Sequence, residues 1–361
     1  MNDGRRGSSL TGATVKTLRT GVDLEPISVA EMRKQVAVLS VAERIFDAAV
    51  LFGLFDLGVF GVLASGPKNM EELRRTIQGD EDSLRASLDA AVALGILSKN
   101  NEDRYLAGED LLDCLGRRQS PAFVGEWIAF LNSLAEPVLN LPEAVRNGAT
   151  SFGEVGAGEA RAQEMTRAMD AYARARGVEI VRHLDFSKAG TMLDLACGPG
   201  TYSMAIAERY PELRITLLDL PGPVEEARRI AAERGMEDRF SFVAADAFSF
   251  APREPFDLVL ISNTLQMLGP VASKALLRRC FQMVNPGGHL VVQGMYLNSD
   301  RTSPRWPALL NLVMRVATPN GRNHTVEETI EWLDQAGFVE TEHVAFSLWN
   351  VCSCVVGRRV A

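Results

Sequence analysis

Leu193-Asp194-Leu195-Ala196-Cys197-Gly198-Pro199-Gly200 is the stretch that decides the fold, a short apolar run ending in a glycine turn that leads directly into a helix. A glycine-rich turn after a strand lets backbone amides approach a ligand, because no side chain stands in the way. The turn lacks the third glycine of the GxGxxG dinucleotide pattern and the Lys-Ser/Thr ending of a phosphate-binding loop. A nicotinamide cofactor or a nucleoside triphosphate is therefore disfavoured. Cys197 reads as a small residue where backbone must come close to a ligand, ahead of a reading as a nucleophile.

Outward from this turn the texture is one of apolar runs alternating with amphipathic helices. The runs are Thr191 to Ala196, Arg214 to Leu218, Phe240 to Val243, Leu258 to Ser262 and His289 to Gln293. Strands alternating with helices predict a Rossmann-like α/β domain with a doubly wound, mostly parallel sheet. Open sheets of this kind bind ligands at the carboxyl ends of their strands. The second strand ends in Leu217-Leu218-Asp219-Leu220-Pro221, where an acid about twenty residues past the glycines is placed to accept two ribose hydroxyl hydrogen bonds. The third ends in Ala244-Ala245-Asp246-Ala247-Phe248, where a carboxylate can take an adenine amino group and the ring can pack on the purine. The fourth ends in Ile261-Ser262-Asn263 and leads to a helix that stops near Asn285-Pro286-Gly287-Gly288. Each acid alone would serve equally as a helix cap or a solvated loop residue. Their succession points to an adenosine-containing ligand.

Toward the amino terminus, Val36, Val38, Leu39, Val41, Ile45, Ala48, Ala49, Phe52 and Leu54 recur at spacings near three and four. This predicts a helix apolar on more than one face, either central to its own core or shared with a second copy. Glu71 to Thr76, Asp82 to Leu94, Gly95-Ile96-Leu97 and Arg104-Tyr105-Leu106 read as helix, helix, strand, strand, the order of a winged helix. The would-be recognition helix from Ser83 to Ala90 carries one base, Arg85, and one acid, Asp89. A net charge of −8 likewise opposes binding to nucleic acid. Helices are predicted from Ala122 to Arg146 and from Ala160 to Leu184. Cysteines at 114, 197, 280, 352 and 354 and four histidines form no metal-ligand spacing, so no metal is expected. With no signal sequence and no membrane-length apolar run, a cytoplasmic location without membrane contact is expected.

The whole pattern resembles the class I S-adenosylmethionine (SAM)-dependent methyltransferases, and from about Val36 onward the two-domain small-molecule O-methyltransferases of plant phenylpropanoid and bacterial antibiotic-tailoring pathways. The marks are the turn at Asp194 to Gly200, Asp219-Leu220-Pro221, Asp246, Pro286-Gly287-Gly288, and the closing run from Gly321-Arg322 through Trp332-Leu333 to Ala336-Gly337-Phe338. The resemblance implies a loose tail over 1–27, a winged-helix dimerisation domain over 28–120, a helical linker over 121–188 and a SAM-binding domain over 189–361. It implies SAM as cofactor, held by Asp194, Ala196, Gly198, Gly200, Asp219, Leu220, Asp246, Ala247, Phe248, Ser262 and Tyr172. The partners it implies are a small-molecule acceptor and a second copy of the chain. Trp127, Phe130, Met169, Met267, Met295, Trp306, Leu310 and Met314 would line the acceptor side, although Met and Trp at helical spacing serve equally as core.

One departure bears on the chemistry. Where these enzymes carry a histidine that deprotonates the acceptor, this chain has Gln266, within Ser262-Asn263-Thr264-Leu265-Gln266-Met267, and the acid that orients it corresponds to Gln293. An amide has no proton-accepting pKa near neutrality. Three alternatives follow. In the first, His324 serves as the base, with Tyr296 a weaker choice. In the second, the acceptor needs none, Gln266 and Asn263 orienting an acidic phenol, an enol, or a carbon or nitrogen nucleophile beside the methyl donor. The third is a SAM-binding tailoring enzyme that transfers no methyl. Oxygen transfer is placed slightly ahead.

Overall fold

The computed structural model describes residues 27–148, 159–346 and 352–360, so the expected tail lies outside the described residues except for Ile27. The chain divides at Ala48/Ala49. In the first part, Ser28 caps α1 (Val29–Ala42) through a capping box. Its Oγ accepts from Glu31 N at 3.2 Å, and the Glu31 carboxylate accepts from Ser28 N at 2.8 Å. The single helix expected from Val36 to Leu54 is instead two, because the chain tightens at Glu43. Phe46 N reaches Glu43 O at 2.9 Å in an i→i+3 bond before α2 (Arg44–Asp56) continues. No residue of α1 is buried, and Val36, Val38, Leu39, Val41, Ile45 and Phe46 are all exposed.

From Ala49 the second half of α2 leads to α3 (Val59–Leu63), α4 (Met70–Ile77), α5 (Glu81–Ala93), β1 (Ser98–Lys99), β2 (Tyr105–Leu106) and α6 (Glu109–Leu115). Leu54, Phe60, Leu73, Leu88 and Tyr105 form their shared core. The order is the expected one, but Gly95-Ile96-Leu97 is not a strand. Gly95 turns left-handed at φ 72° and ends α5, and the N–H groups of Ile96 and Leu97 both bond to Ala91 O. Those amides are consumed in closing the helix, so the ladder starts at Ser98 paired with Leu106.

The helix expected from Ala122 to Arg146 is broken into α7 (Gly125–Ser133), α8 (Ala135–Leu139) and α9 (Leu141–Asn147). Pro137 and Pro142 lack the N–H that an unbroken helix needs. α10 (Glu159–His183) follows as expected. The remaining elements are β3 (Thr191–Leu195), α11 (Thr201–Arg209), β4 (Arg214–Asp219), α12 (Pro221–Glu233), β5 (Phe240–Ala244), β6 (Phe256–Ser262), α13 (Pro270–Met283), β7 (Val284–Gly294), α14 (Arg305–Ala317), α15 (Val326–Ala336), β8 (Val339–Ala345) and β9 (Ser353–Arg358).

The seven strands lie in the order β5-β4-β3-β6-β7-β9-β8, with β3 to β7 parallel and β9 antiparallel to both β7 and β8. Alternate residues enter opposite cores. Met192, Leu217 and Leu260 pack with Ile180 of α10 and Ile206 of α11, whereas Leu193, Val259 and Val292 pack with Leu277 of α13 and Leu333 of α15. Burying each such leucine is worth roughly 1.5–3 kcal/mol. Pro286-Gly287-Gly288 lies inside β7, where the register with β6 shifts between Phe256 and Leu258. A Cβ on Gly288 would stand 2.6 Å from Asp257 O, so only glycine permits that approach. Because β3 is flanked by β4 and β6, the strand order reverses at the carboxyl end of β3, opening a crevice there. Among the described residues no helix is long and apolar enough to cross a membrane.

Candidate active site

The glycine turn leaves β3 through three left-handed residues, Ala196 (φ 58°), Gly198 (52°) and Gly200 (70°), and Gly200 is the N-cap of α11. The turn is tied to the neighbouring strand twice: Cys197 N donates to Leu218 O at 3.0 Å, and Gly198 N donates to Asp219 Oδ2 at 2.7 Å. The other Asp219 oxygen accepts from Leu220 N at 2.7 Å. A Cβ on Gly198 would meet nothing within 4 Å, whereas one on Gly200 would stand 2.9 Å from Leu217 Cδ1. One glycine keeps the cradle open to a ligand; the other lets α11 pack on β4.

Two carboxylates here are held above the ordinary range. Burial pushes Asp194 up to about 7, opposed by its 2.6 Å bond from Ser203 Oγ and reinforced by the charge of Asp219. Its Oδ1 is buried without a hydrogen-bond partner. Burial also raises Asp219, against the two backbone amides that bind it. Beyond β5, Asp246 is exposed and caps its own turn, Oδ1 accepting from Phe248 N at 2.8 Å. Phe248 and Leu220 are exposed, Ala247 packs on the core beneath, and Ser262 ends β6 with its Oγ buried and unpartnered.

On the other side of the crevice the expected acceptor residues separate into two groups. Trp127 lies against Tyr172, ring centroids 4.3 Å apart. The Tyr172 hydroxyl donates to Met295 Sδ and accepts from Trp306 Nε1, each at 3.3 Å. Burial lifts that phenol to about 12. Phe130, with its ring centroid 5.4 Å from Trp127, extends this group, and Leu310 and Met314 pack in the same core. Met267, at the end of the 3₁₀ turn Leu265–Met267, is 43% exposed, and Met169 is half-buried.

A second cluster lies under the 3₁₀ turn Leu265–Met267. Asn263, left-handed at φ 54°, donates through Nδ2 to Gln293 Oε1 at 2.8 Å and to Tyr202 OH at 3.2 Å. Asn263, Gln266, Gln293, Met295, Tyr296 and His324 are among the residues lining a cavity of about 240 Å³, open solvent at its mouth included. Four polar atoms of the lining residues are buried without partners: Asn263 Oδ1, Gln266 Oε1, Gln293 Nε2 and His324 Nδ1. His324 is 4% exposed, lies edge-on to Trp332, and bonds through Nε2 to Leu265 O at 3.0 Å. A carbonyl only accepts, so Nε2 carries the proton and Nδ1 the lone pair. Burial lowers the imidazole pKa, opposed by the Leu265 carbonyl and assisted by the charge of Arg322, so the ring is neutral at pH 7.

A third feature escapes sequence reading. Buried Asp170 of α10 accepts from Arg234 Nη2 on both oxygens at 2.7 and 2.6 Å, from Arg174 Nε at 3.0 Å and from Thr201 Oγ1 at 2.6 Å. It fastens α10 to the first residue of α11 and the C-cap of α12. Asp170 and Arg234 are 64 residues apart, and no periodicity signals such a pair.

A parallel sheet with a glycine cradle at its reversal point, acids ending the next two strands and a polar cavity across the crevice define a class I SAM-dependent methyltransferase. A family profile for the O-methyltransferase domain matches residues 132–339, more than half of the chain, and the chain belongs to that family. It is 28% identical over 321 residues to the tetracenomycin polyketide synthesis 8-O-methyl transferase TcmO of Streptomyces glaucescens, covering 86% of this chain and 93% of that protein. It is 24% identical over 332 residues to a 3-hydroxy-5-methyl-1-naphthoate 3-O-methyltransferase of Streptomyces sahachiroi, covering 88% and 93%. Its fold matches that of human N-acetylserotonin methyltransferase in complex with SAM, with a TM-score of 0.83 at 22% identity over 93% of this chain and 100% of that one.

Proposed function

We propose that the chain transfers the methyl group of SAM to a hydroxyl oxygen of a small aromatic or polyketide-like metabolite, with His324 as the proton acceptor. The donor side fits SAM. The cradle at Gly198 is open, Asp219 stands at the end of β4, and the unpartnered Oδ1 of Asp194 belongs to an acid suited to a cationic ligand. In this reading Asp219 binds the ribose hydroxyls and Asp246 the adenine amino group. Phe248, Leu220 and Ala247 flank the base, and Ala196, Gly198, Gly200, Ser262 and Tyr172 complete the wall. When bound, SAM supplies an electrophilic methyl carried on a sulfonium.

The observation that carries the acceptor chemistry is His324, a buried neutral imidazole with an unpaired Nδ1 on the cavity it shares with Gln266. Gln266 cannot take a proton, but its amide can orient the hydroxyl. As the acceptor oxygen gains the methyl, its proton goes to Nδ1, and the Leu265 carbonyl on Nε2 steadies the imidazolium that forms. Asn263 holds the adjoining wall, and Trp127, Met169, Met267, Met295, Trp306 and Met314 supply the apolar side for a flat molecule. Both Streptomyces relatives bear names of oxygen methylation on aromatic or polyketide compounds, which favours oxygen over carbon or nitrogen. We assign 28–120 to dimerisation, because the large apolar side chains of α1 are all exposed, with 121–188 as linker and 189–361 as the SAM-binding domain.

The test uses SAM labelled in its methyl group and a panel of hydroxynaphthoates and hydroxylated polyketides. His324→Ala should leave SAM binding by calorimetry unchanged and lower turnover by a factor of about 100 or more. Asp219→Ala should abolish SAM binding itself. Full turnover by the His324 variant would remove it as the base, and a wild-type protein that binds no SAM would remove the whole reading.

A further inference from the structure

We propose that Gln293 is a specificity-determining residue that selects acceptors in which a carbonyl oxygen lies within hydrogen-bond reach of the reacting hydroxyl. The proposal rests on the reading that the cavity under Gln266 is the acceptor end of the site, and it names the class of molecule that end prefers.

Gln293 is held rigidly. It is 1% exposed, pairs with Ser262 of β6 on one side and Cys354 of β9 on the other, and its Oε1 is fixed by Asn263 Nδ2 at 2.8 Å. Asn263 is in turn held by Tyr202 OH. One amide end of Gln293 is thereby engaged, and the other, Nε2, is left on the cavity wall without a hydrogen-bond partner. The Cys352 thiol, a weak acceptor, lies beside it. A buried N–H₂ left unmatched costs about 1–3 kcal/mol, so a ligand oxygen that accepts from it is selected strongly.

His324, whose Nδ1 keeps a lone pair, lines the same cavity, and no charged side chain is among the lining residues. A donor beside a proton acceptor is the complement of a hydroxyl beside a carbonyl. The enclosed room is about 20 Å³, far below the roughly 300–1,000 Å³ of pockets that enclose whole drug-sized ligands, so only a polar edge of the acceptor reaches it. In a hydroxy-carbonyl unit the hydroxyl proton is otherwise held by the carbonyl oxygen. The Gln293 N–H₂ takes over that role, releasing the proton to His324, and its bond to the carbonyl strengthens as the oxyanion charge spreads onto it. An acceptor acidified in this way also suits an imidazole made less basic by burial.

The experiment compares 1-hydroxyanthraquinone with 1-hydroxyanthracene, which share a ring skeleton and a hydroxyl and differ in the carbonyls. Binding of each is measured by fluorescence in the complex with S-adenosylhomocysteine, where no turnover is needed. Wild type should bind the quinone at least about tenfold more tightly. Gln293→Met, close in volume, should bring the ratio near one by weakening the quinone alone, with S-adenosylhomocysteine affinity unchanged. Equal binding of the two compounds by wild type, or an equal loss of both in the variant, would overturn the proposal. The wild-type ratio needs no variant, so a misfolded substitution leaves the test standing. A binding preference without methyl transfer to either compound would support Gln293 while counting against the methyl-transfer reading alone.

Discussion

Replacing Asp194 by asparagine should stabilise the ligand-free protein at pH 8 markedly more than at pH 5.5. In the unfolded chain this carboxyl titrates near 3.8, and burial in the fold moves it to about 7. Between those values the folded protein keeps a proton that the unfolded chain has released. Stability from this group therefore falls as pH rises from about 4 toward 7, and the loss is complete just above 7. Integrated over the titration, Asp194 costs on the order of 2 kcal/mol at pH 5.5 and 4 kcal/mol at pH 8. Asparagine escapes both costs, and its side-chain oxygen can still accept from Ser203 Oγ. The variant should thus be more stable by about 2 kcal/mol at pH 5.5 and about 4 kcal/mol at pH 8, a pH-dependent difference of about 2 kcal/mol. For a large domain that is a difference of a few degrees in Tm. Calorimetric melting of both proteins at the two pH values reads it directly. A Tm difference that is the same at both, or larger at pH 5.5, would refute the assignment of a buried, proton-holding Asp194.

Gly200→Ala should lower both Tm and SAM affinity, since φ 70° and a Cβ 2.9 Å from Leu217 Cδ1 combine backbone strain of about 1–3 kcal/mol with a clash. Gly222→Ala, in α12 with nothing within 4 Å, is the control and should be neutral or slightly stabilising. Arg234→Ala should destabilise by about 3–5 kcal/mol in denaturant unfolding, because it removes the guanidinium nitrogen that reaches both oxygens of the buried Asp170 carboxylate; an effect under 1 kcal/mol would mean that Arg174 and Thr201 suffice. With His324 as base, kcat/KM should rise with pH along an acidic limb centred below 6.5 and then level off. A limb unchanged in His324→Asn would assign it to another group.

Much of this protein is legible without its structure because the relevant signals are local. The alternation of apolar runs and amphipathic helices specifies a parallel sheet, the glycines at 198 and 200 meet a backbone demand visible at their own positions, and Asp219 and Asp246 are found by counting strand ends. The misread elements are those in which local pattern competes with chain geometry. Ile96 and Leu97 have the composition of a strand, but their amides close α5. Val36 to Leu54 has the periodicity of one helix, but tightens at Glu43. The edge pair β8 and β9 combines Glu340, Glu342 and His343 with an antiparallel return that no short-range spacing announces.

The sequence by itself determined the class of fold and the glycine turn after β3, because the alternation of elements and backbone freedom are written in consecutive residues. Its resemblance to the family also implied Gln266 at the position where those enzymes carry a base. Tertiary structure alone decided what surrounds that amide. Asn263, Gln293 and His324 are brought to one cavity by the pairing of β6 with β7 and by the loop that bonds Arg322 N to Gln266 O. Which nitrogen of His324 keeps its lone pair depends on a carbonyl 59 residues away, a relation that exists only after the chain has folded.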